Sequence, residues 1–129
     1  MANKERNYRA EILESSRELT AIEKVKFKDT SDCIKLDEVL NEVEQIKIEV
    51  DSYVVLKIHN VNSDDKEYNT FIIIDKEGNK YSTGSTSFFN SFMDIMDELQ
   101  GVDEKWELKI YKVESKNYKG KFFISCSVA

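Results

Sequence analysis

The sequence has no proline, only four glycines and two cysteines, and a single histidine among its 129 residues. Cys33 and Cys126 lie far apart and form no CxxC pair, so the ligand spacing of a zinc site is missing. We expect both thiols to be buried and unpaired. His59 has no second histidine with which to build a metal or acid–base site, and on a predicted strand it fits a surface or stacking residue better than a catalytic base.

Long apolar runs and glycine-rich phosphate loops are also absent. The apolar runs are too short for a transmembrane helix, and residues 1–6 are charged with no apolar stretch behind them, which excludes a secretory signal. The glycines form neither GxGxxG nor a P-loop. Asp64 and Asp65 lie in a predicted turn, where acidic pairs are usually solvated. We therefore predict a cytoplasmic protein that is not an enzyme and that needs no metal and no cofactor.

What is present fits one folded domain. A chain of this length, 40% hydrophobic and 34% charged, can bury one core but not two. Residues 1–20 have few large apolar groups, and we interpret them as an N-terminal arm that is flexible or forms a short helix. Residues 21–129 would form the domain.

Alternating apolar residues predict most of the secondary structure. Residues 46–59 are expected to form one long or bent strand, and further strands are predicted at 68–75, 80–83, 106–111 and 122–128. Apolar residues at helical spacing predict a helix over 85–99, with hydroxyl N-caps before it and Gly101 after it. Two segments stay ambiguous: 20–28 has both a capping box and strand-like alternation, and 33–43 suggests a strand that turns into a short helix.

This order predicts a mainly β fold. Strands, one helix and a terminal hairpin match a five-stranded oligonucleotide/oligosaccharide-binding (OB) barrel with one helix between strands 3 and 4. Other small α+β barrels and sandwiches remain open alternatives. We expect Phe88, Phe92, Trp106 and Phe122 to lie in the core.

Charge is segregated along the chain despite a net charge of −6. The last hairpin is lysine-rich and opposed only by Glu107 and Glu114, whereas the end of the predicted helix is acidic, with Asp94, Asp97, Glu98, Asp103 and Glu104. Tyrosines are interleaved with the lysines, and further aromatic residues lie on the facing strands. An aromatic platform bordered by lysines suits single-stranded nucleic acid, because unpaired bases expose faces that a duplex hides.

Three segments resemble single-stranded-DNA-binding proteins of phages that infect Gram-positive bacteria. They are DKEGNKYSTGS at 75–85, FFNSF at 88–92 and KVESKNYKGK at 112–121. The similarity covers residues 31–128, and its most specific part is the Ser-Lys-x-x-x-Gly-Lys loop. The resemblance implies an OB fold, a role in phage DNA replication and recombination within the bacterial host, and a homodimer. It also implies phage or host recombination and replication proteins as candidate partners.

We therefore predict sequence-tolerant binding of single-stranded DNA, with lysines neutralising phosphates and aromatic rings stacking on bases. The predicted nucleic-acid-binding residues are Tyr53, Lys57, His59, Tyr68, Phe71, Lys109, Tyr111, Lys112, Lys116, Tyr118, Lys119 and Lys121. The alternative is a phage protein-interaction module whose acidic surface mimics DNA and inhibits a host defence or replication protein. A small hydrolase would need a cleft that the sequence gives no reason to expect.

Overall fold

The computed structural model describes residues 7–64, 66–99 and 101–129. It is mainly β, with 43% of the described residues in strands and 24% in helices, which confirms the predicted class. The strands are β1 (Tyr8–Ser15), β2 (Ile34–Lys35), β3 (Gln45–Ile48), β4 (Val50–Asn60), β5 (Glu67–Asp75), β6 (Lys80–Thr83), β7 (Leu108–Glu114) and β8 (Phe122–Val128). The helices are α1 (Ala21–Lys28), α2 (Leu36–Glu42) and α3 (Thr86–Leu99).

The strands form two sheets that do not close into a barrel. One sheet has five strands in the order β1-β4-β5-β6-β2, and the other has three in the order β3-β7-β8. β3 and β4 are the two halves of the predicted long strand, which bends at Glu49 and so contributes to both sheets. In the part of the chain that is described, β6 and β8 are not paired, and α3 packs against β8 instead. The predicted five-stranded OB barrel is therefore not confirmed.

The N-terminal segment corrects one prediction. Residues 8–15, expected to be flexible or helical, form β1, which pairs antiparallel with β4. Residues 1–6 of the predicted arm lie outside the described residues. A β-bulge between Ile12 and Glu14 shifts the register, and it breaks the alternation by which a strand is recognised in sequence. Ala10 and Ile12 pack on the five-stranded sheet, so β1 is held by tertiary contacts.

Both faces of the five-stranded sheet are covered. One face, with Tyr53, Val55, Phe71 and Ile73, joins the inner face of the three-stranded sheet in the main core. The other face forms a second, smaller core of Val54, Leu56, Ile58, Ile72 and Ile74, over which Leu19, Phe27 and Cys33 pack. A central strand buried on both sides reads as a continuous apolar run, as in residues 71–74.

The two ambiguous segments both contain a helix. Thr20 caps α1 through its hydroxyl, which accepts from the Glu23 N–H at 3.2 Å, while the Glu23 carboxylate accepts from the Thr20 N–H at 3.1 Å. The capping box thus prevails over the alternation in residues 20–28. Residues 34–42 form the short strand β2 followed directly by α2, as their mixed spacing suggested.

α3 is the best-predicted element. Its first turn is capped by Ser85, whose hydroxyl accepts from the Phe88 N–H at 3.1 Å, and Gly101 beyond its end has a φ of 83°, which a residue with a side chain rarely adopts. Phe88 and Phe92 are fully buried, as predicted, and Trp106 packs on the core while partly exposed. Phe122 is 57% exposed, so its assignment to the core is wrong. Among the described residues, no helix is long and apolar enough to cross a membrane.

Candidate nucleic-acid interface

The β7–β8 hairpin joins Leu108–Glu114 to Phe122–Val128 through a loop of residues 115–121. The loop is closed by the Ser115 N–H, which donates to the Lys121 carbonyl at 2.8 Å, and by the Lys121 N–H, which donates to the Tyr118 carbonyl at 3.2 Å. Gly120 adopts a φ of 81° inside this turn. Because glycine reaches that region without strain, the turn can hold Tyr118 at its tip. The Tyr118 side chain is 65% exposed.

The hairpin has one apolar and one polar face, since side chains alternate along a strand. Leu108, Ile110, Ile124 and Cys126 face the core. The opposite side, which we call the outer face, carries Gln45 and Lys47 of β3, Lys109, Tyr111 and Val113 of β7, and Phe123, Ser125 and Ser127 of β8. Direct cross-strand neighbours include Lys47 with Lys109, Gln45 with Tyr111, and Val113 with Phe123.

Two lysines lie over tyrosine rings of this hairpin. Lys109 Nζ is 5.5 Å from the centre of the Tyr111 ring, and Lys121 Nζ is 5.7 Å from the centre of the Tyr118 ring. A cation over a ring at this distance contributes about 0.5–1 kcal/mol at an exposed site. Each pair therefore presents an aromatic surface and a positive charge side by side. These are the groups that can stack on the base and neutralise the phosphate of a nucleotide.

The outer face and the loop carry an excess of positive charge. The hairpin contains lysines at 109, 112, 116, 119 and 121 and one carboxylate, Glu114, and β3 adds Lys47. Lys116, Lys119 and Lys121 are exposed, and no ion pair involves them within the described residues. Their amines are thus open to a polyanion, although the chain as a whole is acidic.

Lys112 does not share this surface. Its register places it opposite Ile124, on the inward side of the hairpin, and its Nζ donates to Asn41 Oδ1 of α2. Lys112, Phe122 and Ile124 line a cavity of about 480 Å³ whose other wall includes Asp37 and Gly84. This cavity lies where β6 and β8 would meet in a closed barrel.

The predicted roles of Tyr53 and Phe71 are contradicted. Tyr53 is 5% exposed and packs edge-on against Phe92, with ring centres 5.5 Å apart. Phe71 is 6% exposed and stacks on Phe89 at 4.2 Å. Burial also raises the pKa of the Tyr53 hydroxyl. Both rings lie under α3, so no base can stack on them.

Lys57, His59 and Tyr68 lie on the five-stranded sheet, away from the outer face. Lys57 Nζ is 3.3 Å from the carboxylate of Glu67, so this cation already has a partner, and His59 Nδ1 is 3.6 Å from the same carboxylate. Tyr68 projects from the opposite side of that sheet, beside Ile58, and lines a cavity with Thr70. The structure therefore brings together the predicted site residues of the hairpin other than Lys112, but not those of β4 and β5.

Sequence reasoning missed Lys47 and Phe123. Lys47 alternates with Ile46 and Ile48, so an outward direction could have been inferred, but its pairing with Lys109 depends on the sheet order. Phe123 is 38% exposed on the outer face. It follows Phe122 directly, and two adjacent strand residues must face opposite ways, so one of the pair had to leave the core side.

No candidate metal centre accompanies this surface in the residues that the structure describes. They contain no group of three or more His, Cys, Asp or Glu residues able to hold a metal ion. Both cysteines are free, and burial raises the pKa of the Cys126 thiol to about 12, so this thiol stays protonated at neutral pH. Comparison of the chain with protein-family models, curated proteins and solved structures finds no match.

Proposed function

We propose that the protein binds single-stranded DNA without sequence preference, through the outer face and the loop of the β7–β8 hairpin. The observation that carries the proposal is the placement of two lysine–tyrosine pairs on one hairpin, with Tyr118 fully outside the core. An exposed tyrosine ring beside an amine provides stacking and phosphate neutralisation at one point.

The shape of this surface favours unpaired strands over a duplex. Readers of duplex DNA insert a helix or a β-ribbon with donors aimed at base edges in the major groove. The outer face instead presents flat rings and lysines on a broad sheet, with Tyr111 and Phe123 on neighbouring strands. Bases that are not paired can stack on these rings whatever their identity, which explains tolerance of sequence.

We further propose that the fold is an open variant of the OB architecture. Taken from β3 and β4 onward, the chain order is a bent first strand, β5, β6, α3, β7 and β8, with the helix between the third and fourth strands. The resemblance to phage single-stranded-DNA-binding proteins supports the same proposal. The most specific segment of that resemblance, residues 112–121, contains the hairpin loop of residues 115–121. On this proposal, the protein coats displaced strands during phage DNA replication and recombination.

The proposal is tested by titrating a labelled oligonucleotide with the protein over a series of salt concentrations. The affinity for single strands should fall steeply as salt rises, because each neutralised phosphate releases condensed counterion. Four or five lysine contacts would give a slope of about −3 in log K against log salt for a single strand. A flat salt dependence, or tighter binding to the matching duplex, would contradict the proposal.

A charge reversal locates the surface. Lys47→Glu with Lys109→Glu should abolish measurable binding at moderate salt, since two adjacent phosphate contacts become repulsive. Lys57→Glu is the matched control, because Lys57 is an exposed strand lysine that already pairs with Glu67 on the other sheet. If the control weakened binding as much as the double variant, net charge rather than the outer face would explain the affinity.

The same oligonucleotide titration also tests the rival function, that of a DNA mimic that binds a host protein. The acidic residues of α3 would then form the interface, and oligonucleotide would bind weakly or not at all. A host protein captured by the wild type, lost on reversal of the α3 carboxylates and not displaced by single-stranded DNA, would favour the rival.

A further inference from the structure

Gly84, between β6 and α3, is the one glycine of the chain whose backbone conformation does not require glycine. The other three glycines have positive φ values between 81° and 90°, but Gly84 does not. A Cβ added at Gly84 would come no nearer than 3.8 Å to a surrounding atom, the carbonyl oxygen of Asn69, which is ordinary van der Waals contact. Neither strain nor crowding within the chain therefore excludes a side chain here. A glycine in such a place leaves room for a ligand that comes close to the backbone.

Two neighbouring cavities meet at Gly84, which lines both of them together with Asp37. The first is the cavity of about 480 Å³ between β6 and β8, and Phe122 on its wall is 57% exposed. The second has a volume of about 360 Å³ and is lined by Lys35 and Tyr68. We call the two cavities together the seam groove. A side chain at position 84 would stand between its two halves.

The seam groove is continuous with the outer face of the hairpin. Phe123 belongs to the outer face and also lines the first cavity. Phe122 precedes it directly, so the two rings project to opposite sides of β8. In the described part of the chain, β8 pairs only with β7 and so has one free edge. A bound strand can therefore pass round this edge from Phe123 to Phe122 without leaving the protein surface.

The chemical groups of the seam groove are those of the hairpin, with one addition. Phe122 and Tyr68 offer accessible rings, and Lys35 is an exposed cation that forms no ion pair within the described residues. Asp37 and Glu38 add an acidic wall to the second cavity. These carboxylates repel phosphates but not uncharged bases. The groove therefore suits bases whose sugar–phosphate backbone stays outside the cavities.

We infer that single-stranded DNA bound on the hairpin continues round β8 into the seam groove, with bases against Phe122 and Tyr68 and its backbone passing over Gly84. This inference rests on the proposed function and lengthens the binding site beyond the hairpin. Lys112 neutralises no phosphate in this arrangement, because its amine already donates to Asn41. A short oligonucleotide thus fills only the hairpin, whereas a longer one fills the hairpin and the groove.

The test is to block the groove at Gly84 and to vary the length of the DNA. Gly84→Leu places a bulky side chain between the two cavities, at a position where the protein itself has room for it. Fluorescence anisotropy gives the affinities for labelled thymidine oligonucleotides of about 4 to about 16 nucleotides, the range of site sizes of single OB domains. The shortest that binds should bind the variant and the wild type equally. The longest should bind Gly84→Leu about tenfold more weakly, which corresponds to about one stacked base.

Matched variants separate the groove from the added bulk. Gly84→Ala leaves most of the groove open, and Asn90→Leu introduces the same side chain at an exposed position of α3, so both should bind every length like the wild type. Phe122→Ala and Tyr68→Ala should repeat the loss for the longest oligonucleotide and spare the shortest. Lys35→Gln should lower the salt slope by about 0.7, the contribution of one phosphate, for the longest only.

The outcomes distinguish this inference from the proposed function. A wild type that binds no oligonucleotide of any length would overturn both. A wild type that binds, with Gly84→Leu, Phe122→Ala and Tyr68→Ala equal to it at every length, would leave the function standing and remove the seam groove from the site. Should Gly84→Leu bind no oligonucleotide at all, the Phe122 and Tyr68 variants decide by the same criterion. Unchanged oligonucleotide affinities together with loss of a bound host protein in Gly84→Leu would assign the groove to a polypeptide and overturn the inference.

Discussion

The centre of the five-stranded sheet and the β7–β8 hairpin both carry aromatic residues, but these residues are buried in the first region and accessible in the second. Tyr53 and Phe71 lie under α3 and are almost completely buried, whereas Tyr111, Tyr118 and Phe123 remain accessible on the hairpin. The difference comes from what covers each strand. β4 and β5 are packed on both faces, while β7 and β8 are packed on one. An aromatic residue on a strand thus stays accessible to a ligand only where no second layer covers it.

The largest expected effect comes from removing a ring of the buried group. Phe71→Ala should lower the free energy of unfolding by about 3–5 kcal/mol, because it deletes a stacked ring and leaves a cavity beside Phe89. Urea unfolding followed by fluorescence measures this loss. Tyr118→Ala is the matched control, since its ring is mostly in solvent and its removal should change stability by less than about 0.5 kcal/mol. Equal losses for the two variants would remove the distinction between the regions.

The sequence predicted the local elements better than the faces that they bury. α3, the long strand that became β3 and β4, and β8 follow from periodicity and capping alone. The faces depend on where a helix lies along a sheet. Tyr53 and Lys57 are four residues apart on one side of β4, yet α3 covers the first and leaves the second exposed. No local pattern encodes that boundary, which is why the exposure expected of Tyr53 and Phe71 was wrong.

Next in size is the effect of single rings on DNA affinity. On the proposed function, Tyr118→Ala and Phe123→Ala should each weaken binding to an unpaired oligonucleotide by about 1–3 kcal/mol, the usual value for one stacked base. Fluorescence anisotropy at a fixed low salt concentration gives these values. Tyr8→Ala serves as the control, because Tyr8 is an exposed tyrosine, 44% accessible, on the far sheet. An unchanged affinity in both hairpin variants would exclude the hairpin from the interface.

Two lysines of β7 can show which side of the hairpin contacts the DNA. Lys109→Gln should reduce the salt slope of binding by about 0.7, the contribution of one phosphate on a single strand. Lys112→Gln should leave the slope unchanged, since Lys112 faces inward and bonds to Asn41. The slopes come from titrations at four or more salt concentrations. A reduced slope for Lys112→Gln would show that the strand also enters the cavity between β6 and β8.

The smallest expected effect concerns α1 and acid. Arg17, together with the Thr20 N–H, holds the pKa of the Glu23 carboxyl at about 2, well below its ordinary value of 4.5. The folded state therefore favours the ionised form, and this contribution to stability is complete above about pH 4.5 and disappears as the pH falls to about 2. Glu23 is partly exposed at the surface, so solvent screening keeps the effect small.

Glu23→Gln cannot form the ion pair with Arg17, although its amide oxygen can still accept from the Thr20 N–H. Its unfolding free energy should therefore be lower than that of the wild type at pH 6, and the two values should converge as the pH falls through 4.5 towards 2. Urea unfolding of both proteins over that pH series measures the difference. A constant difference would mean that the charge of Glu23 does not stabilise the folded state.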